Sequence, residues 1–245
     1  MKKILGKKTI WRTGVILVMA LFGGMLAMPG VAGAVVPVVK TVPWVATNPL
    51  IPHDTWSGKQ ITLKGTTDVQ GANFQYSWDF GDGSPVATGT VANMYAVQAT
   101  HTYTGSDGDI FTARLTVEDT NTGETGSKEY YVAIRNKTLE VEVNVAIDEG
   151  LWYLHKKQYR WSSGSPSVDY GDWRTISSYQ GLVGAAVNAF EANGHTESLV
   201  GDENPYKETV ARGLKTLFTL ISSASTAWRY DVHPEDYNGD GVLND

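Results

Sequence analysis

Polar and apolar residues alternate through the middle of the chain, and apolar residues recur at helical spacing after it. The sharpest alternation is Tyr76-Ser77-Trp78-Asp79-Phe80, the two-residue period of a half-buried strand. It stops in Gly81-Asp82-Gly83-Ser84, where two glycines supply backbone angles that side chains disfavour. A strand running into such a turn starts a β-hairpin. Asp79 and Asp82 are expected to accept backbone N–H groups and shape the turn, with calcium binding as the alternative.

Further strands follow the same reading. Gln60 to Gly65, Asn73 to Phe80, Val86 to Thr88, Tyr95 to Thr104, Phe111 to Asp119 and Lys128 to Arg135 are separated by turn-forming stretches such as Gly105-Ser106-Asp107-Gly108-Asp109. Phe111, Ala113, Leu115 and Val117 share one face. About seven short strands at spacings near ten residues predict an antiparallel β-sandwich. Ahead of them, Val35 to Leu50 carries three prolines and reads as an extended lead-in or edge strand, with Trp44 packed on the domain that follows. His53 stands among turn residues and is expected at the surface.

Past Lys137 the period changes. Val141 to Tyr159 reads as a helix, Trp161 to Trp173 as a loop, Ser177 or Ser178 as the cap of a helix ending near Ala192, and Asn204-Pro205 as the start of a third. The second helix offers Leu182, Val183, Ala186, Val187 and Phe190, and the third Leu214, Leu217, Phe218 and Ile221. Asn193-Gly194 ends the second helix through a left-handed residue. Gly150-Leu151, Gly181-Leu182 and Gly213-Leu214 fall at near-even steps, which suggests repeated helices burying a shared face, or coincidence. Asp148-Glu149 is expected on a solvated helix face.

Composition narrows the chemistry. The 245 residues include no cysteine, which excludes disulfides, thiolate metal sites and a cysteine nucleophile. Lys2, Lys3, Lys7, Lys8 and Arg12 precede an apolar run from Gly14 to Met28, and Ala32-Gly33-Ala34 follows. This is the pattern of a secretory signal peptide cleaved after Ala34; an uncleaved membrane anchor is the alternative. Cleavage takes five positive charges from a formal net charge of −6 and leaves −11. A chain that acidic repels phosphates, so nucleic acid is not expected as a partner. The layout is then a signal peptide over 1–34, a sandwich with its lead-in over 35–136, and a helical-hairpin region with an acidic loop over 137–245.

Two resemblances follow from these residues. Trp78-Asp79-Phe80-Gly81-Asp82-Gly83-Ser84, then His101-Thr102-Tyr103, then Phe111 through Asp119, resemble the PKD (polycystic kidney disease) domain over Val38 to Asn136. The resemblance implies an immunoglobulin-like sandwich with Trp78 in its core. It also implies a non-catalytic module of extracellular proteins, used for protein or carbohydrate contact or as a spacer. The helical region from Val143 to about Ser222 resembles the α/α-toroid repeats of squalene cyclases and prenyltransferase β-subunits. It departs from them in having neither the cyclases' aspartate-rich motif nor a cysteine for the prenyltransferases' zinc, so neither activity is carried over.

The C-terminus holds one candidate metal loop. Asp236, Asn238, Asp240, the carbonyl of Val242 and Asn244 fall at positions 1, 3, 5, 7 and 9 of a calcium loop, with Gly241 at the turn. The loop resembles those of dockerin and EF-hand proteins, but the chain ends before the bidentate acid at position 12. A plain acidic tail is the alternative. His101, His155, His195 and His233 lie in different elements and form no metal-binding pair, and no nucleophile elbow is present. Trp152, Tyr153, Tyr159, Trp161, Tyr170 and Trp173 cluster as helix-packing residues or as a carbohydrate-stacking surface. The expected function is a secreted or cell-surface binding and scaffolding module for protein or carbohydrate, with calcium as the candidate cofactor. Membrane contact would come only through an uncleaved signal segment. The alternative is a fragment of a larger extracellular toroid enzyme or an accessory module of a hydrolase.

Overall fold

The computed structural model describes residues 34–174 and 179–223. The signal segment over 1–33, the Ser177 and Ser178 cap, His233 and the calcium loop at Asp236, Asn238, Asp240, Val242 and Asn244 lie outside the described residues.

Eight strands build two facing sheets. They are β1 (Val39–Thr41), β2 (His53–Thr55), β3 (Gln60–Thr67), β4 (Gly71–Asp79), β5 (Ala87–Val91), β6 (Val97–Thr102), β7 (Ile110–Asp119) and β8 (Thr125–Ile134). One sheet has the order β1-β3-β6 and the other β2-β8-β7-β4-β5. All pairings within them are antiparallel except β2 with β8. The lead-in therefore contributes one short strand, β1, to the smaller sheet, and β2, just after it, joins the larger. β1 fits between Pro37 and Pro43, neither of which could donate to a ladder.

Alternation sets the core. Ala113, Leu115 and Val117 of β7 are fully buried, and they meet Leu63 of β3 and Trp78 of β4 between the sheets. Trp78 is 0% exposed, and its indole N–H donates to Val97 O at 3.3 Å. Burying a ring of this size contributes on the order of 3 kcal/mol or more. Tyr103 is also enclosed, with its hydroxyl donating to Phe80 O at 3.1 Å.

A third layer lies on the outer face of the smaller sheet. Helix α1 (Leu139–Lys157) is capped by Thr138, whose hydroxyl accepts from Val141 N at 3.3 Å. Glu140 and Glu142 in its first turn, and Lys156 and Lys157 in its last, suit the helix dipole. Val141, Val145, Trp152 and His155 form its buried stripe. Trp152 Nε1 donates to Gln98 Oε1 of β6 at 2.7 Å, and His155 Nε2 donates to Tyr95 O at 2.9 Å. Helices α2 (Tyr179–Ala192) and α3 (Pro205–Ser223) pack on one another. Val183, Val187, Phe190, Tyr206 and Val210 form their common core with Trp152 and Trp173.

The helical half departs from expectation in four ways. The stretch from Trp161 to Trp173 is not a loop: β9 (Tyr159–Ser163) and β10 (Val168–Asp172) pair as an antiparallel hairpin, with Trp161 opposite Tyr170. Alternating residues in a serine- and glycine-rich stretch gave too short a period to read. Leu182 and Phe218 do not face the core; they are 39% and 65% exposed. The three glycine-leucine pairs are not equivalent, since Leu151 is buried, Leu214 half-buried and Leu182 exposed. The described helices thus form no series of like hairpins, because α1 divides its buried face between the α2–α3 core, through Leu151 and Trp152, and the sandwich, through His155. Finally, Asp148 and Glu149 lie at the junction rather than in solvent. Among the described residues no helix is long and apolar enough to cross a membrane.

Candidate binding site

The junction between sandwich and helices is held by a buried charge cluster. Lys64 on β3 is 1% exposed, and its ammonium contacts Asp148 Oδ2 and, at 3.1 Å, Glu149 Oε1. Glu149 also accepts from Thr62 N and Thr62 Oγ1, both at 3.1 Å. Burial works to raise the Asp148 pKa, but the charges of Lys64 and His53 outweigh it and hold the carboxyl well below the usual carboxylate range. A helix face with one short acidic pair looks solvated in sequence. Here the lysine that answers it is 84 residues away on a strand, which no local pattern reveals.

His53 is also buried, contrary to its expected surface position, at 4% exposed. It belongs to β2, and its ring stacks on Tyr130 with centroids 4.3 Å apart. Nε2 donates to Val42 O at 2.8 Å, because a carbonyl can only accept. Nδ1 faces Asp148 Oδ1 at 3.6 Å. Trp44 meets the same imidazole edge-on at 5.4 Å, which ties the lead-in to the domain.

Beside this cluster a cleft of about 190 Å³ opens between the lead-in, α1 and the end of α2. Trp44, Asn144, Asp148, Leu151, Asn193 and His195 line it. The tautomer of His195 follows from its neighbours. Tyr206 N donates to Asn204 Oδ1 at 3.0 Å, so the other end of that amide is Nδ2, which donates to His195 Nδ1 at 2.9 Å. The ring proton then sits on Nε2. Burial lowers the His195 pKa to about 4 despite the pull of Asp148, so the ring is neutral at pH 7.

A second feature is the outward hairpin. Trp161 and Tyr170 stack at 5.5 Å and 20°, and Tyr159 meets Trp161 at 5.7 Å. The Arg174 guanidinium lies 4.2 Å from the Tyr159 ring and 5.0 Å from that of Trp161. Tyr159 remains 51% exposed. The aromatic cluster of the sequence is therefore divided: Trp152 and Trp173 belong to the core, while Tyr159, Trp161 and Tyr170 form a ladder on the hairpin.

The residues of the strand-turn motif sit apart from both features. Asp79 Oδ1 accepts from Gly81 N at 3.0 Å, and Asp82 Oδ1 accepts from Ser84 N at 3.0 Å. Asp82 Oδ2 meets His101 Nε2 at 2.7 Å, and the His101 ring stacks on Phe80 at 4.0 Å. Burial opposes ionisation of Asp82, but Ser84 and His101 prevail and its pKa falls to about 2. Gly81 and Gly83 take φ of 73° and 81°, the left-handed region the turn requires. Among the described residues no cluster of three or more His, Asp or Glu could hold a metal ion.

The PKD domain family matches residues 49–134, about a third of the chain. Among solved structures, the chain is similar to the PKD domain of an M14-like peptidase from a Thermoplasmatales archaeon. The identity is 20%, over 41% of this chain and 94% of that one, with a TM-score of 0.28. It is similar to the PKD domain of the human VPS10 domain-containing receptor SorCS2 at 13% identity, covering 54% of this chain and 98% of that one, with a TM-score of 0.31. A family 76 glycoside hydrolase from a bovine Bacteroides thetaiotaomicron strain is 15% identical over 75% of this chain and 38% of its own, with a TM-score of 0.25. No curated protein matches the chain.

Proposed function

We propose that this chain is an exported, non-catalytic binding module that contacts protein or carbohydrate outside the cell. The match of residues 49–134 to the PKD domain supports an extracellular module. The observation that carries the binding role is the hairpin ladder. Tyr159, Trp161 and Tyr170 are held in register by β9 and β10, and Arg174 adds a cation beside them. Aromatic rings with a partly wet edge and a neighbouring arginine are the residue types that dominate binding hot spots. They stand on paired strands, which fix their geometry better than a loop would.

The lysine-bound junction gives the ladder a firm base. α1 fixes the helical layer to the sandwich, and Arg212 of α3 holds the hairpin through Asp169 at 3.2 Å and Tyr170 O at 3.4 Å. Calcium at Asp236, Asn238, Asp240, Val242 and Asn244 belongs to the same reading as an exported protein's structural ion.

An array of extracellular glycans and matrix proteins, probed with the full chain with and without calcium, tests this. Binding reduced about tenfold or more by Trp161→Ala is the expected result. Binding to neither class, or binding indifferent to both Trp161→Ala and Tyr159→Ala, would overturn it.

A further inference from the structure

Two of the clefts among the described residues adjoin the helical layer, and they differ in what their polar groups are already doing. The one of about 230 Å³ is lined by Lys40, Tyr95, His155, Glu208 and Arg212, among others. Its groups are spent on each other. His155 Nδ1 accepts from Thr209 Oγ1 at 2.6 Å and Nε2 donates to Tyr95 O. Glu208 pairs with Arg212 and Arg160, and Lys40 with Asp202 at 2.8 Å. Its charged groups are thus already paired, and the Thr67 hydroxyl is a buried polar atom left without a partner.

The cleft at Trp44 is different. Asp148 Oδ2 is taken by Lys64, while Oδ1 is held among the described residues only by the longer contact with His53 Nδ1 at 3.6 Å. His195 has its Nδ1 occupied by Asn204, which leaves Nε2–H as its unspent donor. Among the described residues the Asn144 carboxamide lines the cleft with no hydrogen bond to protein, and Asn193 commits only its Nδ2, to Ala189 O at 2.8 Å. The site thus offers both acceptors and donors beside one half-buried indole.

That combination selects a ligand class. A cation would meet the Lys64 ammonium that already holds Asp148, and no three-ligand metal cluster exists among the described residues. An anion would face the Asp148 charge. A purely apolar ligand would strand the carboxylate, the imidazole and two amides without partners. A neutral ring bearing several hydroxyls satisfies all of them, since each hydroxyl both donates and accepts. Its C–H face suits the Trp44 ring. Size points the same way. About 190 Å³ holds roughly six waters and is below the ~300 Å³ of common drug-sized pockets, which matches one ring.

We propose that the cleft between Trp44, Asn144, Asp148 and His195 binds a single neutral pyranose, free or at the end of a glycan. This site is separate from the hairpin ladder and does not depend on it.

Saturation-transfer NMR and calorimetric titration of the full chain with glucose, galactose, mannose, xylose and N-acetylglucosamine test the proposal. At least one sugar is expected to bind in the millimolar range usual for one small ring. Trp44→Ala and Asn144→Leu should each weaken it about tenfold, and Trp161→Ala should leave it unchanged. Asp148 is avoided because it also holds the junction, and circular dichroism checks the fold of each variant. No binding by any of the five sugars overturns the proposal. So does binding that survives both Trp44→Ala and Asn144→Leu. Loss with Trp161→Ala alone would place the sugar on the hairpin instead, leaving the ladder reading intact and this one refuted.

Discussion

Lys64 reaches out of the smaller sheet to Asp148, and the pair joins the sandwich to the first helix. Lysine is almost never fully buried unless paired, and here Asp148 and Glu149 are the partners. Removing one member of a buried pair leaves the other uncompensated, which costs about 3–5 kcal/mol. Lys64→Met should lower unfolding stability by that amount in a urea titration. Lys64→Met combined with Asp148→Leu and Glu149→Gln should restore part of the loss. A single-variant loss below about 1 kcal/mol would mean that the cluster is hydrated and incidental.

Two buried histidines predict a stability loss on mild acidification. His155 is 0% exposed, and burial, helped by Arg160, lowers its pKa from 6.5 to about 3; that of His195 falls from 6.5 to about 4. Folded pKa values below the unfolded one mean that the unfolded chain binds more protons. The stability is fully present above pH 6.5 and is lost as pH falls toward 4 and then 3. Each histidine adds up to about 1.4 kcal/mol per pH unit within its window. Denaturant midpoints between pH 7 and 4 should show this slope, and His195→Gln should roughly halve it. A flat profile would show that both rings are solvated.

At lower pH the carboxylates take over. Asp82 has its pKa lowered to about 2, and Asp148 is held well below its ordinary range. Their contribution is complete above about pH 4 and disappears as pH falls through the folded values. Asp82→Ala also removes the acceptor for Ser84 N and Ser84 Oγ and the partner of His101, and should cost about 1–2 kcal/mol at pH 7. Thermal unfolding of the variant at pH 7 and pH 2.5 checks this, with the difference from wild type shrinking at the lower pH.

Gly81 should tolerate no side chain. Its φ is 73°, and a Cβ there would be driven into the Thr112 carbonyl of β7. Gly81→Ala should destabilise by at least about 2 kcal/mol, from left-handed strain plus the displaced strand. Gly83 has the same sign of φ but open space around it, so Gly83→Ala should cost only about 1 kcal/mol. Equal losses at the two positions would contradict the contact with Thr112.

Much of the sandwich was legible because its signal is local. Tyr76 through Asp79 and Phe111 through Val117 alternate with the pleat, and glycines mark the turns. The helices were legible for the same reason, through stripes such as Val183, Val187 and Phe190. What escaped depends on partners far away in sequence. His53 looks exposed beside Pro52 and Asp54, yet Val42, Tyr130 and Asp148 enclose it. Asp148 looks solvated until Lys64 is placed beneath it. The β9–β10 hairpin was missed because Ser162 and Ser163, with the turn at Gly164 to Pro166, carry no apolar alternation; its order comes from Trp161 on Tyr170 and from α3 beneath. The cleft at Trp44 gathers residues from the lead-in, α1 and the end of α2, and no spacing in the sequence announces it.

Differential scanning calorimetry of the full chain tests most directly whether the sandwich and the helical layer form one body. The Lys64 junction and the shared contacts of Trp152, Gln98, His155 and Tyr95 predict a single transition, with calorimetric and van't Hoff enthalpies equal. Lys64→Met should lower that transition as a whole. Two separate transitions in the wild type, with only one of them moved by Lys64→Met, would contradict it.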